Sequence, residues 1–361
     1  MKSIKIYIVQ IILFIVFLLF IESGSRIFIT RREFNGLAFT EILKKLNIFL
    51  YQTNYKKSSG IVEKQKCIEK HILKEYEINN NKNILNGLKE KYEYGFSNFI
   101  KIAKNNSKTK ILLVYLPLIE NNKSYKNIFS DYFKNLSNKY GIRFVDLTNE
   151  LIQSGSIEDW SLLPINSHFS RYGNKTIAKK LKIIVKELLP KSKLDKNYVN
   201  TQKIKAGLNP NKNLLWNIEP SMVYRVKTNS YGFRNNEEIS NNFLAGVYGG
   251  SYTFGPYLAN HDTFPSLLEN EIRKSDEERF KKFQVLNAGL AGTNIFHQMQ
   301  LLSQTHSINF DLIIIQVSDR DINAVSSSYM QVVGPIKIED SSLLLTSPFE
   351  KEAYKSCGIK N

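Results

Sequence analysis

Short apolar runs alternate with segments of helical periodicity along residues 85–325. Continuous apolar stretches, which predict buried strands, lie at 110–117, 143–147, 243–248, 283–286 and 312–317. Apolar residues recur at helical spacing in 128–140, 264–273 and 295–303. A further helix is predicted between Ser170, a candidate N-cap, and Pro190. Strands that alternate with helices predict an α/β fold of the doubly wound type, built on a parallel sheet.

The N-terminus carries a long apolar run, Ile6–Ile21, interrupted only by Gln10. No Ala-x-Ala-like cleavage site follows it, which favours a retained anchor over a cleaved signal peptide. The run is shorter than the roughly 20 residues that span a bilayer, and Ile27–Ile29 can extend it. We therefore predict a transmembrane segment in residues 1–30 and a single-pass membrane protein whose remaining part is extracytoplasmic.

Composition and charge narrow the classes of function. The 361 residues include 50 Lys and Arg against 33 Asp and Glu, a net charge of +17, and 42% are hydrophobic, which excludes a disordered chain. The cations are scattered rather than clustered with aromatic residues, so we expect no nucleic-acid partner. The two cysteines, Cys67 and Cys357, lie far apart without metal-ligand spacing. We expect no metal and no cofactor.

Candidate chemistry lies at the ends of three predicted strands. After the first, Gly249-Gly-Ser251-Tyr-Thr-Phe-Gly255 can expose a serine hydroxyl beside free backbone N–H groups, as a serine nucleophile requires. The same glycine-rich loop is also compatible with a phosphate cradle or a plain turn. Gly292 follows the second strand, and Arg320 and Asp321 follow the third, where they could also form a solvated ion pair. Open α/β sheets bind ligands at this edge.

Four motifs resemble those of the SGNH (GDSL-like) hydrolase family, over residues 215–325. They are TNSYGFR (228–234), GGSYTFG (249–255), VLNAGLAG (285–292) and DLIIIQVSDRD (311–321). The resemblance implies a flavodoxin-like, three-layer parallel sheet and ester hydrolysis or acyl transfer through a serine. It further implies Ser251 as the nucleophile, with the N–H groups of Ser251 and Gly292 in the oxyanion hole. Arg320 stands where the family has an Asn as third oxyanion donor.

The histidine that this family requires precedes the serine here. Asn166-Ser-His168, followed by a helical segment with Gly173, resembles the family's Asp-x-His block, and Asn166 replaces the usual Asp. An Asn can orient an imidazole, but it supplies less charge to stabilise the imidazolium. Residues 85–190 thus resemble the C-terminal half of the domain, so the two halves occur in reversed order.

The reversed order predicts a circular permutation within a single domain, residues 31–361. Residues 31–190 would correspond to the usual C-terminal half, 191–213 to a linker, and 214–361 to the N-terminal half. Domain termini that are close together tolerate such cuts. The rival arrangement is two truncated half-domains with open sheet edges. In the permuted domain Cys67 and Cys357 fall in one composite insertion, where an exported protein could join them.

Two function hypotheses follow. The first is a membrane-anchored serine esterase or O-acyltransferase that acts on an acyl ester, with a cell-envelope glycan as one substrate class. Its catalytic residues would be Ser251, His168 and Asn166, and its oxyanion donors Ser251, Gly292 and Arg320. The second is a non-catalytic structural or binding protein of the envelope, since Asn166 and Arg320 depart from the family pattern. Ser251 would then be a turn residue and His168 a surface or helix-capping residue.

Overall fold

The computed structural model describes residues 82–105, 108–189, 204, 206–219, 222–240 and 243–325. The helices are α1 (Lys82–Ala103), α2 (Ser130–Lys139), α3 (Thr148–Ser154), α4 (Ile157–Trp160), α5 (Arg171–Leu188), α6 (Ser251–Phe254), α7 (Phe264–Arg273), α8 (Ile295–Thr305) and α9 (Asp319–Asn323). The strands are β1 (Lys110–Tyr115), β2 (Leu118–Glu120), β3 (Ser124–Lys126), β4 (Arg143–Asp146), β5 (Ser161–Leu162), β6 (Asn166–Phe169), β7 (Asn213–Glu219), β8 (Met222–Lys227), β9 (Leu244–Tyr248), β10 (Gln284–Asn287) and β11 (Leu312–Val317).

Five strands form one wholly parallel sheet in the order β10-β9-β11-β1-β4. Strand β1 lies beside β11 along its whole length, with Leu112 opposite Ile314. The apolar runs 110–117 and 312–317, which come from opposite halves of the chain, therefore share a sheet. Counted from β9, the strand order becomes 2-1-3-4-5, which is the flavodoxin-like doubly wound order.

Helices cover both faces of the sheet, because its strands are apolar on both sides. Alternate residues of β1 point to opposite faces: Leu113 and Tyr115 join one buried cluster, and Leu112 and Val114 join the other. The first cluster includes apolar residues of α1, α2 and α8, and the second includes those of α5 and α7. The described residues thus form a three-layer α/β/α arrangement.

The predicted linker 191–213 meets a β-hairpin at its C-terminal end. Asn213 begins β7, which forms an antiparallel hairpin with β8. Strand β8 has a period-two pattern, in which Tyr224 and Val226 are buried while Val223 and Arg225 are exposed. Ile204, inside the predicted linker, is buried in the core. The end of this segment therefore packs on the domain.

No helix or strand was predicted from the sequence where α1 lies. Its buried residues Leu88, Tyr92, Phe96 and Phe99 recur at helical spacing, but many polar residues between them weaken the pattern. The other predicted strands and helices are present, with ends that differ by a few residues; β10, for example, is Gln284–Asn287.

The predicted membrane anchor, Ile6–Ile21, lies outside the described residues, as do both cysteines. Within the described ranges, no helix combines the length and apolar character needed to cross a membrane.

Candidate active site

Ser251 lies at the carboxyl edge of the parallel sheet. It is the first residue of α6, which begins three residues after β9 ends at Tyr248. The side chain is half-buried, and its backbone N–H donates to no backbone carbonyl among the described residues. The position therefore combines a serine hydroxyl with a backbone donor available to a ligand.

A buried arginine holds the loop that follows Ser251. Arg234 is 2% exposed, and its guanidinium donates to the carbonyl oxygens of Phe254, Gly255 and Leu258, the second at 2.7 Å. It also donates to Asn260 Oδ1 at 3.0 Å. Burial lowers the pKa of Arg234 to about 10, so the guanidinium stays charged at neutral pH. Several donors of one rigid group thus fix the path of residues 254–258.

His168 is positioned by β6 and the start of α5. Strand β6 pairs with β5, and Ser170 then caps α5 by accepting a hydrogen bond from the Gly173 N–H at 3.1 Å, as predicted. A Cβ at Gly173 would lie 2.1 Å from the Trp160 carbonyl oxygen. Only glycine therefore lets the first turn of α5 pack this closely behind His168.

One ring nitrogen of His168, Nδ1, is hydrogen-bonded, and the other, Nε2, is not. Its Nδ1 is hydrogen-bonded to Asn166 Oδ1, and Asn166 Nδ2 donates to the Tyr257 hydroxyl at 3.0 Å. Its Nε2 is buried and has no hydrogen-bond partner among the described residues. Tyr252 packs edge-on against the imidazole, with ring centroids 5.6 Å apart. The imidazole is therefore oriented with one nitrogen available.

Two effects keep His168 neutral. Burial, and to a smaller extent the positive charge of Arg320, lower the pKa of His168 to about 3. Among the described residues, the group next to Nδ1 is the neutral Asn166 amide rather than a carboxylate that would oppose these effects. At neutral pH the imidazole is a proton acceptor, although a weak one.

Ser251 and His168 line the same cavity, whose volume is about 50 Å³. Its other lining residues are Leu118, Ser167, Gly250, Tyr252, Gly292, Thr293, Gln316, Ser318, Arg320, Asp321 and Ala324. The Ser251 hydroxyl and His168 Nε2 are not hydrogen-bonded to each other, a contact that often forms only with substrate. Asn166 lies behind His168 and outside this lining.

The structure brings Gly292 and Arg320 to this cavity as well. Gly292 has φ +74°, a left-handed conformation that glycine adopts without strain, and its N–H donates to no backbone carbonyl of the described residues. Arg320 is exposed at the start of α9. Asp321 is engaged in capping α9: it accepts from the Ser318 N–H at 2.7 Å and from the Ser318 hydroxyl at 3.0 Å. Burial raises the pKa of Asp321 to about 6.

Some residues of the site are absent from the sequence predictions. Tyr257 contacts Asn166 although it follows the serine motif by two residues and carries no motif of its own. Tyr252 lies inside the motif, but its packing on His168 depends on the tertiary fold. Within the described part of the chain, no group of His, Cys, Asp and Glu residues could hold a metal ion.

Fold and site together define an α/β protein with a five-stranded parallel sheet and a cavity lined by a serine and a histidine. No family model matches the chain, and no curated protein matches it. Among solved structures, the chain is similar to the O-acetyltransferase domain of Pseudomonas putida AlgJ, with 12% sequence identity and a TM-score of 0.43. The similarity covers 75% of this chain and 91% of that domain.

Proposed function

We propose that this chain is a serine-dependent enzyme of the SGNH type, which hydrolyses acyl esters or transfers their acyl group to a hydroxyl acceptor. The observation that carries the proposal is the shared cavity of Ser251 and His168, which come from opposite halves of the chain. His168 Nε2 is unbonded there, while Nδ1 is held by Asn166. This is the arrangement in which an imidazole can accept a proton from a serine hydroxyl.

The proposed reaction begins with attack of the Ser251 hydroxyl oxygen on the acyl carbonyl carbon, while the hydroxyl proton moves to His168 Nε2. The carbonyl oxygen becomes an oxyanion, for which the N–H groups of Ser251 and Gly292 and the Arg320 side chain are the candidate donors. Cleavage of the ester C–O bond then releases an alkoxide, which takes the proton from Nε2. Water or an acceptor hydroxyl attacks the acyl-serine in the same way, giving hydrolysis or transfer.

Asn166 sets the expected efficiency of this reaction. Among the described residues, a neutral amide and not a carboxylate lies next to His168 Nδ1, where it would stabilise the imidazolium of the first step, and the pKa of His168 is about 3. We therefore expect slow turnover by the natural chain. The same two observations favour the second candidate, a non-catalytic envelope protein that retains the fold.

We further propose that the domain is a circularly permuted SGNH-type domain. The strand order supports this, because it becomes 2-1-3-4-5 when counting starts at β9. The pairing of β1 with β11 in one sheet argues against two separate half-domains. For the envelope setting, the apolar run Ile6–Ile21 supports a membrane anchor, with a glycan ester as one substrate class. Resistance of the full chain to carbonate extraction, and protease access to a C-terminal tag outside the membrane, test this anchoring.

Labelling by a fluorophosphonate tests the catalytic proposal. The probe should attach to Ser251, and both Ser251→Ala and His168→Ala should abolish most labelling. Turnover of p-nitrophenyl acetate should fall equally in the two variants and hardly further in the double variant, because residues that act as one unit are non-additive. Ser303→Ala, a serine whose hydroxyl donates to the Gln300 carbonyl on α8, is the matched control. Labelling that persists without Ser251, or none in the natural chain, would favour the non-catalytic candidate.

A further inference from the structure

Two separate loops carry the backbone donors of the proposed oxyanion hole. Ser251 follows β9 by way of Gly249 and Gly250, and Gly292 follows β10 in the turn that leads to α8. Ser251 and Gly292 both line the cavity. A donor stabilises an oxyanion only when it lies about 2.7–3.1 Å from the position of the developing charge. The two loops therefore have to be held at a fixed distance from each other.

A buried glutamine on α8 joins these two loops. Gln298 is 4% exposed. Its Nε2 donates to the Gly249 carbonyl oxygen at 2.8 Å and to Thr293 Oγ1 at 2.7 Å, and its Oε1 accepts from the Gly249 N–H at 3.2 Å. One side chain thus bonds the residue two positions before Ser251 and the residue directly after Gly292.

The partners of the Gln298 amide admit only one orientation. At Gly249 the amide meets both an N–H and a carbonyl oxygen, so Oε1 must lie toward the first and Nε2 toward the second. The Thr293 hydroxyl donates to the Leu290 carbonyl oxygen at 2.6 Å, so it accepts from Nε2. The site requires one acceptor and two donors on one side chain, a set that glutamine carries and glutamate does not.

Hydrogen bonds on both sides of Gly292 connect its loop to Gly249. Before Gly292, the Leu290 N–H donates to the Gly249 carbonyl oxygen at 3.1 Å. After Gly292, Thr293 is joined to the same carbonyl oxygen through Gln298. Gly292 itself has no side chain that could hold it, so its N–H is placed by these two connections. Loss of the Gln298 amide would remove the second of them.

We propose that Gln298 is a positioning residue, whose amide holds the Gly292 loop against the Ser251 loop and thereby sets the distance between the two backbone donors of the oxyanion hole. This role rests on the proposed serine chemistry. Gln298 lies outside the cavity lining, so it acts on the reacting atoms through the two loops.

The test is Gln298→Met, which keeps the length of the side chain and removes its acceptor and both donors. It should lower kcat for p-nitrophenyl acetate by more than about 3-fold, and by less than the roughly 10²- to 10³-fold that follows removal of a whole oxyanion donor. KM should stay unchanged, because Gln298 lies outside the cavity lining. The rate of fluorophosphonate labelling should fall together with kcat, because that reaction also places an oxygen in the oxyanion hole.

Gln284→Met is the matched control. Gln284 is also buried, and its amide accepts from the Ser240 N–H at 2.9 Å and donates to the Glu238 carbonyl oxygen at 2.7 Å. It is the first residue of β10 and therefore lies at the opposite edge of the sheet from the cavity. The control should leave kcat and the labelling rate unchanged. An equal loss of kcat in Gln284→Met and Gln298→Met would mean that Gln298 is merely structural.

Hydrogen–deuterium exchange gives a second measurement that does not depend on turnover. In Gln298→Met the amides of residues 249–255 and 289–294 should exchange faster than in the natural chain, and in Gln284→Met they should not. Unchanged exchange in both segments of Gln298→Met, or an unchanged kcat, would overturn the proposal. If Gln298→Met fails to fold, Gln298→Glu takes its place with the same expectations, since a glutamate carries at most one donor. If Ser251 proves unreactive, the serine chemistry fails, and the exchange measurement still decides whether Gln298 joins the two loops.

Discussion

Replacement of Asn166 by Asp tests how far the missing carboxylate limits the proposed reaction. The carboxylate would occupy the position of the amide, next to His168 Nδ1. An opposite charge at this distance raises the pKa of an imidazole by roughly 1 to 3 units. The pKa of His168, now about 3, should therefore rise to between about 4 and 6. The Tyr257 hydroxyl, which accepts from Asn166, can rotate to donate to the second carboxylate oxygen.

The expected gain in rate follows from this shift. One pKa unit corresponds to about 1.4 kcal/mol, so the imidazolium would be stabilised by about 1.4 to 4 kcal/mol. If all of this appears in the transition state, turnover rises about 10- to 1000-fold. This expected gain is smaller than the loss of kcat, roughly 10⁴-fold, that follows replacement of the Asp in a serine-protease triad. Part of that loss reflects the wrong tautomer of the histidine.

The assay is kcat/KM for p-nitrophenyl acetate from pH 4 to pH 9. In the natural chain the rate should hardly fall down to about pH 4, because His168 protonates only near pH 3. In Asn166→Asp the acid limb should appear about 1 to 3 pH units higher. Asn138→Asp, an exposed position on α2, controls for added charge. Addition of His168→Ala to the variant should remove the gain. A folded Asn166→Asp variant with neither a faster rate nor a displaced acid limb would refute the reasoning.

Three further predictions concern charge and packing at the site and elsewhere in the domain. Arg320→Asn should retain ester turnover and reduce the preference for anionic over neutral esters. It should also raise the pKa of His168, because it removes a nearby cation. An equal loss of turnover with every ester would mean that Arg320 is structural. Burial raises the pKa of Glu269 to about 7, above its unfolded value near 4.3, so stability should fall as pH rises through this window. Glu269→Gln should make that fall smaller in urea denaturation, and the remainder should come from Asp321, whose pKa burial also raises. A pH dependence equal to that of the natural chain would contradict the assignment. Gly173→Ala should lower Tm by overlap with the Trp160 carbonyl, whereas Gly87→Ala, with open space around it, should not.

Local patterns in the sequence were sufficient to predict the strands of the sheet. Strands β1, β9, β10 and β11 are short apolar runs, and this pattern is visible without any partner because both faces of a parallel sheet are covered. The Ser170 cap is equally local, since the acceptor and the Gly173 N–H are three residues apart. The hairpin β7–β8 and helix α1 were harder to predict, because polar residues interrupt their apolar patterns.

The resemblance of short motifs selected Ser251, His168, Gly292 and Arg320, but only the tertiary structure decided that they line one cavity. That outcome depends on β1 pairing with β11, which joins strands from opposite halves of the chain. Tyr257 shows the limit most clearly. Its contact with Asn166 requires a left-handed turn that Arg234 holds through main-chain carbonyl oxygens, and every residue type carries such an oxygen. A contact made through the backbone leaves no side-chain pattern in the sequence, so the contact of Tyr257 with Asn166 is visible only in the fold.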